Sequence, residues 1–199
     1  MQRQRETAMA IQRFYWLIDG ALAGCSRPGG IHVGADSSYS YGERRGWGRP
    51  DRSPGALPDA TEAPAVATTL DADLDWLRAQ GIGAVLSLTE TPLPAEALAR
   101  HTLDTLHIPI DDMTAPTPEQ FDRALGFIDR ERGLGRAVAV HCKMGQGRTG
   151  VILAAYLIRA GVTPAAALRE LRIICPGAVG SPEQERALYA FTTRRDWIV

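Results

Sequence analysis

Residues 137–157 read AVAVHCKMGQGRTGVILAAYL. An apolar run, a glycine-rich polar bend and a second apolar run of helical spacing follow one another, which predicts strand, loop and helix. The bend contains GQGRTG, a G-x-G-x-x-G in the setting of a dinucleotide-binding turn. It also contains Cys142, followed after five residues by Arg148. The loop therefore holds either the pyrophosphate of a cofactor or a phosphate facing a sulfur nucleophile.

The rest of the chain favours sulfur. A dinucleotide site needs an acidic residue at the end of the next strand. Glu170 stands twenty positions after Gly150, but inside PAAALRELR, a helical run. Fewer than fifty residues follow the loop, and their pattern is helical, which is too little to extend a nucleotide-binding sheet. With Cys142 at the strand end, by contrast, each loop residue has work to do. Gly145 and Gly147 permit a tight path free of side chains, including positive φ. The backbone of Lys143, Met144, Gly145, Gln146 and Gly147 then turns its N–H groups toward one anion, and the helix starting near Arg148 adds its positive end. Arg148 offers a planar fork for two phosphate oxygens. A helix N-terminus and an arginine beside a thiol favour the nucleophilic thiolate. Thr149 is placed to donate its hydroxyl to the sulfur, and His141 to orient the loop by hydrogen bonding.

Outward from this stretch, the pattern alternates. Leu70, Leu74 and Leu77 mark one face of a helix stopped by Gly81. Residues 84–88 (AVLSL) predict a buried strand, PAEALARH a short helix, and 104–110 (DTLHIPI) a further strand. Thr117, Pro118 and Gln120 form a capping-box start to a helix, and Thr163 and Ser181, each followed by proline, begin two more. Residues 148–160 predict a helix ended by Gly161. FYWLID and ALAG predict a small N-terminal β-hairpin turning at Asp19-Gly20. The expectation is an α/β fold: three layers, with a mostly parallel central sheet flanked by helices, and ligand chemistry at the carboxyl ends of the strands. Residues 1–10 are expected to fray. About 27–66, rich in Gly, Pro, Ser and Arg and without apolar period, reads as a long surface insertion whose Tyr39, Tyr41, Arg44, Arg45, Trp47 and Arg49 suit a solvated loop or a lid. Residues 11–199 are expected to form a single domain.

Composition narrows the function. The chain has 199 residues, 45% apolar and 23% charged, with a net charge of −1. No global field favours nucleic acid or an anionic membrane, so any anion preference is built locally. Three widely spaced cysteines without a C-x-x-C pair predict no disulfide framework and no metal site, and suit a reducing, cytoplasmic setting. LAGC at 22–25 resembles a lipoprotein cleavage box, but Arg13 and Asp19 interrupt the apolar run that an export signal needs. No apolar run reaches the length of a spanning helix.

HCKMGQGRTG matches the H-C-x5-R-[ST] signature of the cysteine-dependent protein phosphatases. The chain most resembles their compact atypical dual-specificity members, over about residues 69–193, with SLTE before the acid loop and an EQE helix near the end. The resemblance implies no cofactor and two chemical steps, with a thiophosphoryl intermediate on Cys142. It also implies a general acid on a loop about thirty residues upstream, in HIPIDDMTAPTP. Asp112 aligns with that acid, while Asp111 stands where proline is common. Gln184 either places the hydrolytic water or caps its helix. The implied substrate is a protein or peptide carrying phosphotyrosine and, in a shallow pocket, phosphoserine or phosphothreonine. Lys143, in an H-C-K also found in inositol-lipid phosphatases, supports an inositol phosphate or phosphoinositide alternative. A phosphate-binding module without turnover is a further alternative, and a rhodanese-type sulfur transferase another. No nucleic-acid or membrane partner is expected, and the oligomeric state is open. Cys25 and Cys175 are expected as core residues, or as disulfide partners of an oxidised Cys142.

Overall fold

A computed structural model describes residues 10–30 and 65–192. The expected fraying of 1–9 and the body of the expected insertion, 31–64 with its arginines and aromatics, lie outside the described residues. Eleven elements follow in order: β1 (Phe14–Ile18), β2 (Leu22–Cys25), α1 (Ala65–Ala79), β3 (Ile82–Ser87), α2 (Ala95–Arg100), β4 (Asp104–His107), α3 (Pro118–Gly133), β5 (Ala137–His141), α4 (Gly147–Arg159), α5 (Pro164–Ile174) and α6 (Pro182–Phe191).

One sheet of five strands runs in the order β1-β2-β5-β3-β4. Among the described residues only the β1–β2 hairpin is antiparallel; β2, β5, β3 and β4 are mutually parallel. Alternation along the strands sorts their side chains into two cores. Leu22, Leu86, Val138 and Val140 face the helical layer of α3 to α6, packing with Phe121, Leu125, Ile152 and Leu168. Ala23, Val85, Ala137 and Ala139 face α1 and α2, against Leu74, Leu77 and Leu98. β5 is buried along its whole length because it lies at the centre of the sheet with helices on both faces. The carboxyl end of this central strand opens directly into the cysteine loop.

Local signals behave as their chemistry requires, with two differences. The Thr117 capping box closes in both directions, since Thr117 Oγ1 accepts from the Gln120 N–H and Gln120 Oε1 from the Thr117 N–H. At α6 the expected repeat is only half made. Ser181 Oγ accepts from the Gln184 N–H at 3.1 Å, but the Gln184 side chain turns to the Thr114 carbonyl instead of back to its own cap. β4 ends at His107, earlier than residue 110, because the ladder loses its regular register there. The pairing nevertheless continues past it through Ile108 N–H to Ser87 O and Ile110 N–H to Leu88 O.

Residues 27–30, expected to open the insertion, instead belong to the packed body of the domain, and 65–66, expected to close it, begin α1. Arg27 and Pro28 are buried, and the Gly29 N–H donates to the Asp73 carboxylate of α1 at 2.7 Å. On the other side of the sheet edge, Gly24 lets the Tyr15 ring lie flat across β2; a Cβ there would stand 2.4 Å from the ring. That placement sends the Tyr15 hydroxyl toward the cysteine loop.

Candidate active site

The bend after β5 is held open by its carbonyls. Lys143 O accepts from the Arg27 N–H at 3.2 Å, and Met144 O from the Arg13 guanidinium at 2.6 Å. Gly145 O accepts from the Tyr15 hydroxyl at 2.9 Å, and Gln146 O from the N–H groups of Gly150 and Val179. Every one of these carbonyls is drawn outward. The N–H groups of residues 143–149 donate to nothing among the described residues and are left for a central anion. The dipole of α4, thirteen residues long, ends in the same place.

The two loop glycines are needed for different reasons. Gly145 sits at φ +71°, and a Cβ there would lie 2.5 Å from the Cys25 carbonyl group. Gly147 has no positive φ; its missing side chain makes room for the Gln184 amide, which would lie 3.3 Å from a Cβ. The freedom expected of both is thus conformational at Gly145 and steric at Gly147.

Cys142 is buried at the base of this bend and unpaired. Arg148, 1% exposed, is divided into two halves. Its Nη1 donates to Ile110 O at 2.7 Å and pairs with Glu90 Oε1 at 3.0 Å. Its Nε and Nη2 are buried and make no hydrogen bond, with Nη2 lying 3.2 Å from Asp112 Oδ1 outside hydrogen-bonding geometry. Those two nitrogens form the parallel edge that grips two oxygens of a tetrahedral anion. Thr149 Oγ1 is buried without a partner; it makes no hydrogen bond to the Cys142 sulfur in this structure.

His141 is fully buried, with Nε2 2.7 Å from Ser87 Oγ and Nδ1 3.3 Å from Cys142 O. Burial, assisted by the positive charges of Arg27 and Arg148 and by His107, pushes its pKa down to about 3. A neutral ring with both nitrogens engaged ties β5 to β3 and steadies the Cys142 peptide.

The acid loop meets the site edge-on. Asp112 Oδ1 accepts from the Met113 N–H at 3.1 Å and approaches Arg148, while the carboxylate stays more than half exposed. Asp111 uses its carbonyl to close a turn with Thr114, and its carboxylate has no partner among the described residues. The start of α6 pins this loop at three points: Ser181 Oγ to Met113 O, Glu183 Oε1 from the Ala115 N–H, and Gln184 Nε2 to Thr114 O. Gln184 is buried, its Oε1 is unpartnered, and it lies between the acid loop and Gly147. Lys143 and Met144 are exposed on the rim.

Glu90 is the residue that sequence reasoning passed over, although SLTE was in view. Burial raises its pKa, but its own backbone, the Arg148 guanidinium and the Asp112 backbone outweigh that and hold it below the usual carboxylate range. It joins the fork of Arg148 to the loop of Asp112. The one signal in the sequence was its place just beyond a parallel strand end. Cys25 and Cys175 are both buried and unpaired. Burial pushes both thiols up, and Cys175 lies behind the bend, 3.8 Å from Gly145 O.

A parallel α/β sheet whose central strand delivers a buried cysteine into an amide-lined bend, closed by a buried arginine, defines a cysteine-dependent phosphatase domain of the protein-tyrosine and dual-specificity type. Residues 60–162 match the family model described as "Polymorphic toxin system, DSP-PTPase phosphatase", and the chain belongs to that family. It is similar to phosphatidylglycerophosphate phosphatase PTPMT2 of Arabidopsis thaliana, with 32% identity over 125 residues, 60% of this chain and 55% of that protein. It is also similar to tyrosine-protein phosphatase CDC14 of Candida albicans, with 29% identity over 125 residues, 62% of this chain and 23% of that protein. The chain thus spans about half or less of the length of these relatives. Among solved structures, Tk-PTP in its active form aligns with a TM-score of 0.59 at 34% identity, covering 62% of this chain and 86% of that one.

Proposed function

We propose that this protein hydrolyses phosphomonoesters on phosphorylated protein side chains, phosphotyrosine foremost and phosphoserine or phosphothreonine as well, through a cysteinyl-phosphate intermediate. The observation that carries the reading is the pairing of two unsatisfied donor sets around Cys142: the N–H groups of 143–149 and the Nε–Nη2 edge of Arg148. The Arg148 nitrogens are buried, and buried donors are costly unless an anion completes them. In the first step the Cys142 thiolate attacks phosphorus, the phosphorus–oxygen ester bond breaks, and Asp112 gives its proton to the departing oxygen. In the second, water attacks phosphorus, Asp112 takes its proton, and the phosphorus–sulfur bond breaks to return the thiolate. Gln184, between the acid loop and Gly147, is placed to orient that water through its free Oε1. The donors hold the equatorial oxygens in both steps, where charge develops.

The rim supports a substrate with a single phosphate. Met113 and Met144 expose apolar surface beside the acid and the bend. Glu90, more than half exposed beside Arg148, adds a carboxylate at the rim, which disfavours a polyanionic substrate. The test is metal-free hydrolysis of p-nitrophenyl phosphate and of tyrosine and serine phosphopeptides, with Cys142→Ser as control. Hydrolysis that persists in Cys142→Ser, or a wild type without turnover, refutes the reading.

A second reading, a phosphorylated lipid headgroup or inositol phosphate, draws on the exposed Lys143 and on the name of the Arabidopsis relative. Vesicles carrying phosphatidylglycerophosphate or a phosphoinositide, assayed beside the phosphopeptides, decide between them. We further propose a cytoplasmic setting, which three widely spaced cysteines without a C-x-x-C pair suit.

A further inference from the structure

We propose that Arg27 is a positioning residue of this site: it sets the short loop that carries Glu90 and, through Glu90, both the fork of Arg148 and the acid loop. The proposal rests on the phosphatase reading above. Arg27 follows β2 directly after Ser26, in C-S-R-P-G-G at 25–30, and is only 7% exposed. Its main chain and its side chain serve two different loops. The backbone N–H donates to Lys143 O at 3.2 Å, fastening Arg27 to the cysteine bend. The guanidinium crosses to the loop after β3, where Nη1 donates to Thr89 Oγ1 at 2.7 Å and Thr91 O at 2.9 Å, and Nη2 to Pro92 O at 3.0 Å.

These acceptors bracket Glu90 in sequence. Glu90 in turn reaches Arg148 Nη1 at 3.0 Å, and the nearby Asp112 backbone helps hold its carboxylate ionised. A buried cation therefore holds both flanks of a segment whose central carboxylate pairs with Arg148, and Arg148 in turn lies 3.2 Å from Asp112. The chemistry requires arginine. Three oxygens on a tight turn are met by a rigid planar fork, whereas a lysine presents a single nitrogen. Among the described residues Arg27 has no ion-pair partner, and burial lowers its affinity for its proton. A buried charge without a bonded carboxylate is a poor source of stability. Its carbonyl cage is suited to fixing geometry, and the geometry it fixes is that of the site.

The consequence is a specific kinetic signature. Arg148 acts on every substrate, but Asp112 matters most where the leaving oxygen needs a proton. Destabilising the fold would lower turnover of all substrates by one factor, whereas loosening the Glu90 loop weakens poor leaving groups more. The experiment measures kcat/KM of the wild type, Arg27→Gln, Glu90→Gln and the double variant on p-nitrophenyl phosphate and on phenyl phosphate. Arg27→Gln is expected to cost about tenfold on the first and about a hundredfold on the second. Glu90→Gln is expected to show the same pattern, and the double variant to stay within about threefold of the worse single one, because the two act in series. An Arg27→Gln enzyme like the wild type, equal losses on both substrates, or losses that multiply in the double variant overturn the proposal. Should Arg27→Gln not fold, Arg27→Lys, which keeps the charge and loses the planar fork, is held to the same criteria. A wild type without turnover refutes the phosphatase reading instead, so the two failures are distinct.

Discussion

The Tyr15 hydroxyl donates to the Gly145 carbonyl at 2.9 Å, joining the antiparallel edge of the sheet to the cysteine bend. The bond is buried and spans most of the chain in sequence. It turns one peptide of the bend so that the carbonyl points outward. Burial pushes the Tyr15 phenol well above its ordinary range, so it stays a donor at any working pH. Tyr15→Phe leaves that carbonyl with only the weak Cys175 thiol. The variant is expected to lose about 1–2 kcal/mol in urea unfolding and to bind vanadate about three- to tenfold more weakly by calorimetry. Unchanged vanadate affinity would show that the bend keeps its shape unaided.

Gly145 carries both a left-handed backbone and a close approach to Cys25. Gly145→Ala adds strain and a clash at one place. A loss of about 2–4 kcal/mol in chemical denaturation is expected, with vanadate binding abolished. Gly147→Ala meets only the flexible Gln184 amide and should retain a native melting transition, with slowed turnover as the acid loop's anchor shifts.

Asp112 and Asp111 are neighbours with different surroundings. Asp112→Asn is expected to lower kcat by about 10²–10⁴-fold on phenyl phosphate and by much less on p-nitrophenyl phosphate. Asp111→Asn should change either rate by less than about threefold, since its carboxylate touches nothing described. If Asp111→Asn produced the larger loss, the acid would have to be reassigned.

His141 makes stability depend on pH. Its folded pKa, about 3, lies below the unfolded value near 6.5. The unfolded chain therefore binds the proton first. The stabilisation is present in full above about pH 6.5 and declines as pH falls toward 3, by up to about 1.4 kcal/mol per pH unit. Urea midpoints of the wild type should fall between pH 6.5 and 4.5, above the range in which most carboxylates titrate. In His141→Asn that slope should flatten; an equal slope in both proteins would assign it to another group.

The residues we propose to bind and attack were legible as one group because they are contiguous. Cys142, Gly145, Arg148 and the α4 N-terminus lie within one strand–loop–helix, and local backbone chemistry dictates their convergence. The two-sided burial of β3 and β5 was legible for a related reason, since an unbroken apolar run has only one stable environment. Three features were not. β4 stops short at His107 because Ile108 and Ile110 donate to the consecutive carbonyls of Ser87 and Leu88, which breaks the regular register. Gln184 leaves its cap for Thr114, a choice made by a loop 70 residues away. Glu90 was visible as part of SLTE without a role, because nothing in chain order says which of several carboxylates will reach Arg148.

By itself, then, the sequence determined the strand–loop–helix that carries Cys142 and Arg148 and the layered sheet around it, both of which follow from residue types at short, regular spacing. Only the tertiary structure decided what holds the cradle open and aims it. Tyr15, Arg27 and Arg13 grip the bend from 130, 116 and 131 residues away, and Glu90 reaches Arg148 from a different strand end. Hydrogen bonds act over about 3 Å of space whatever the separation along the chain, so these partners exist only once the parallel strands have been set side by side.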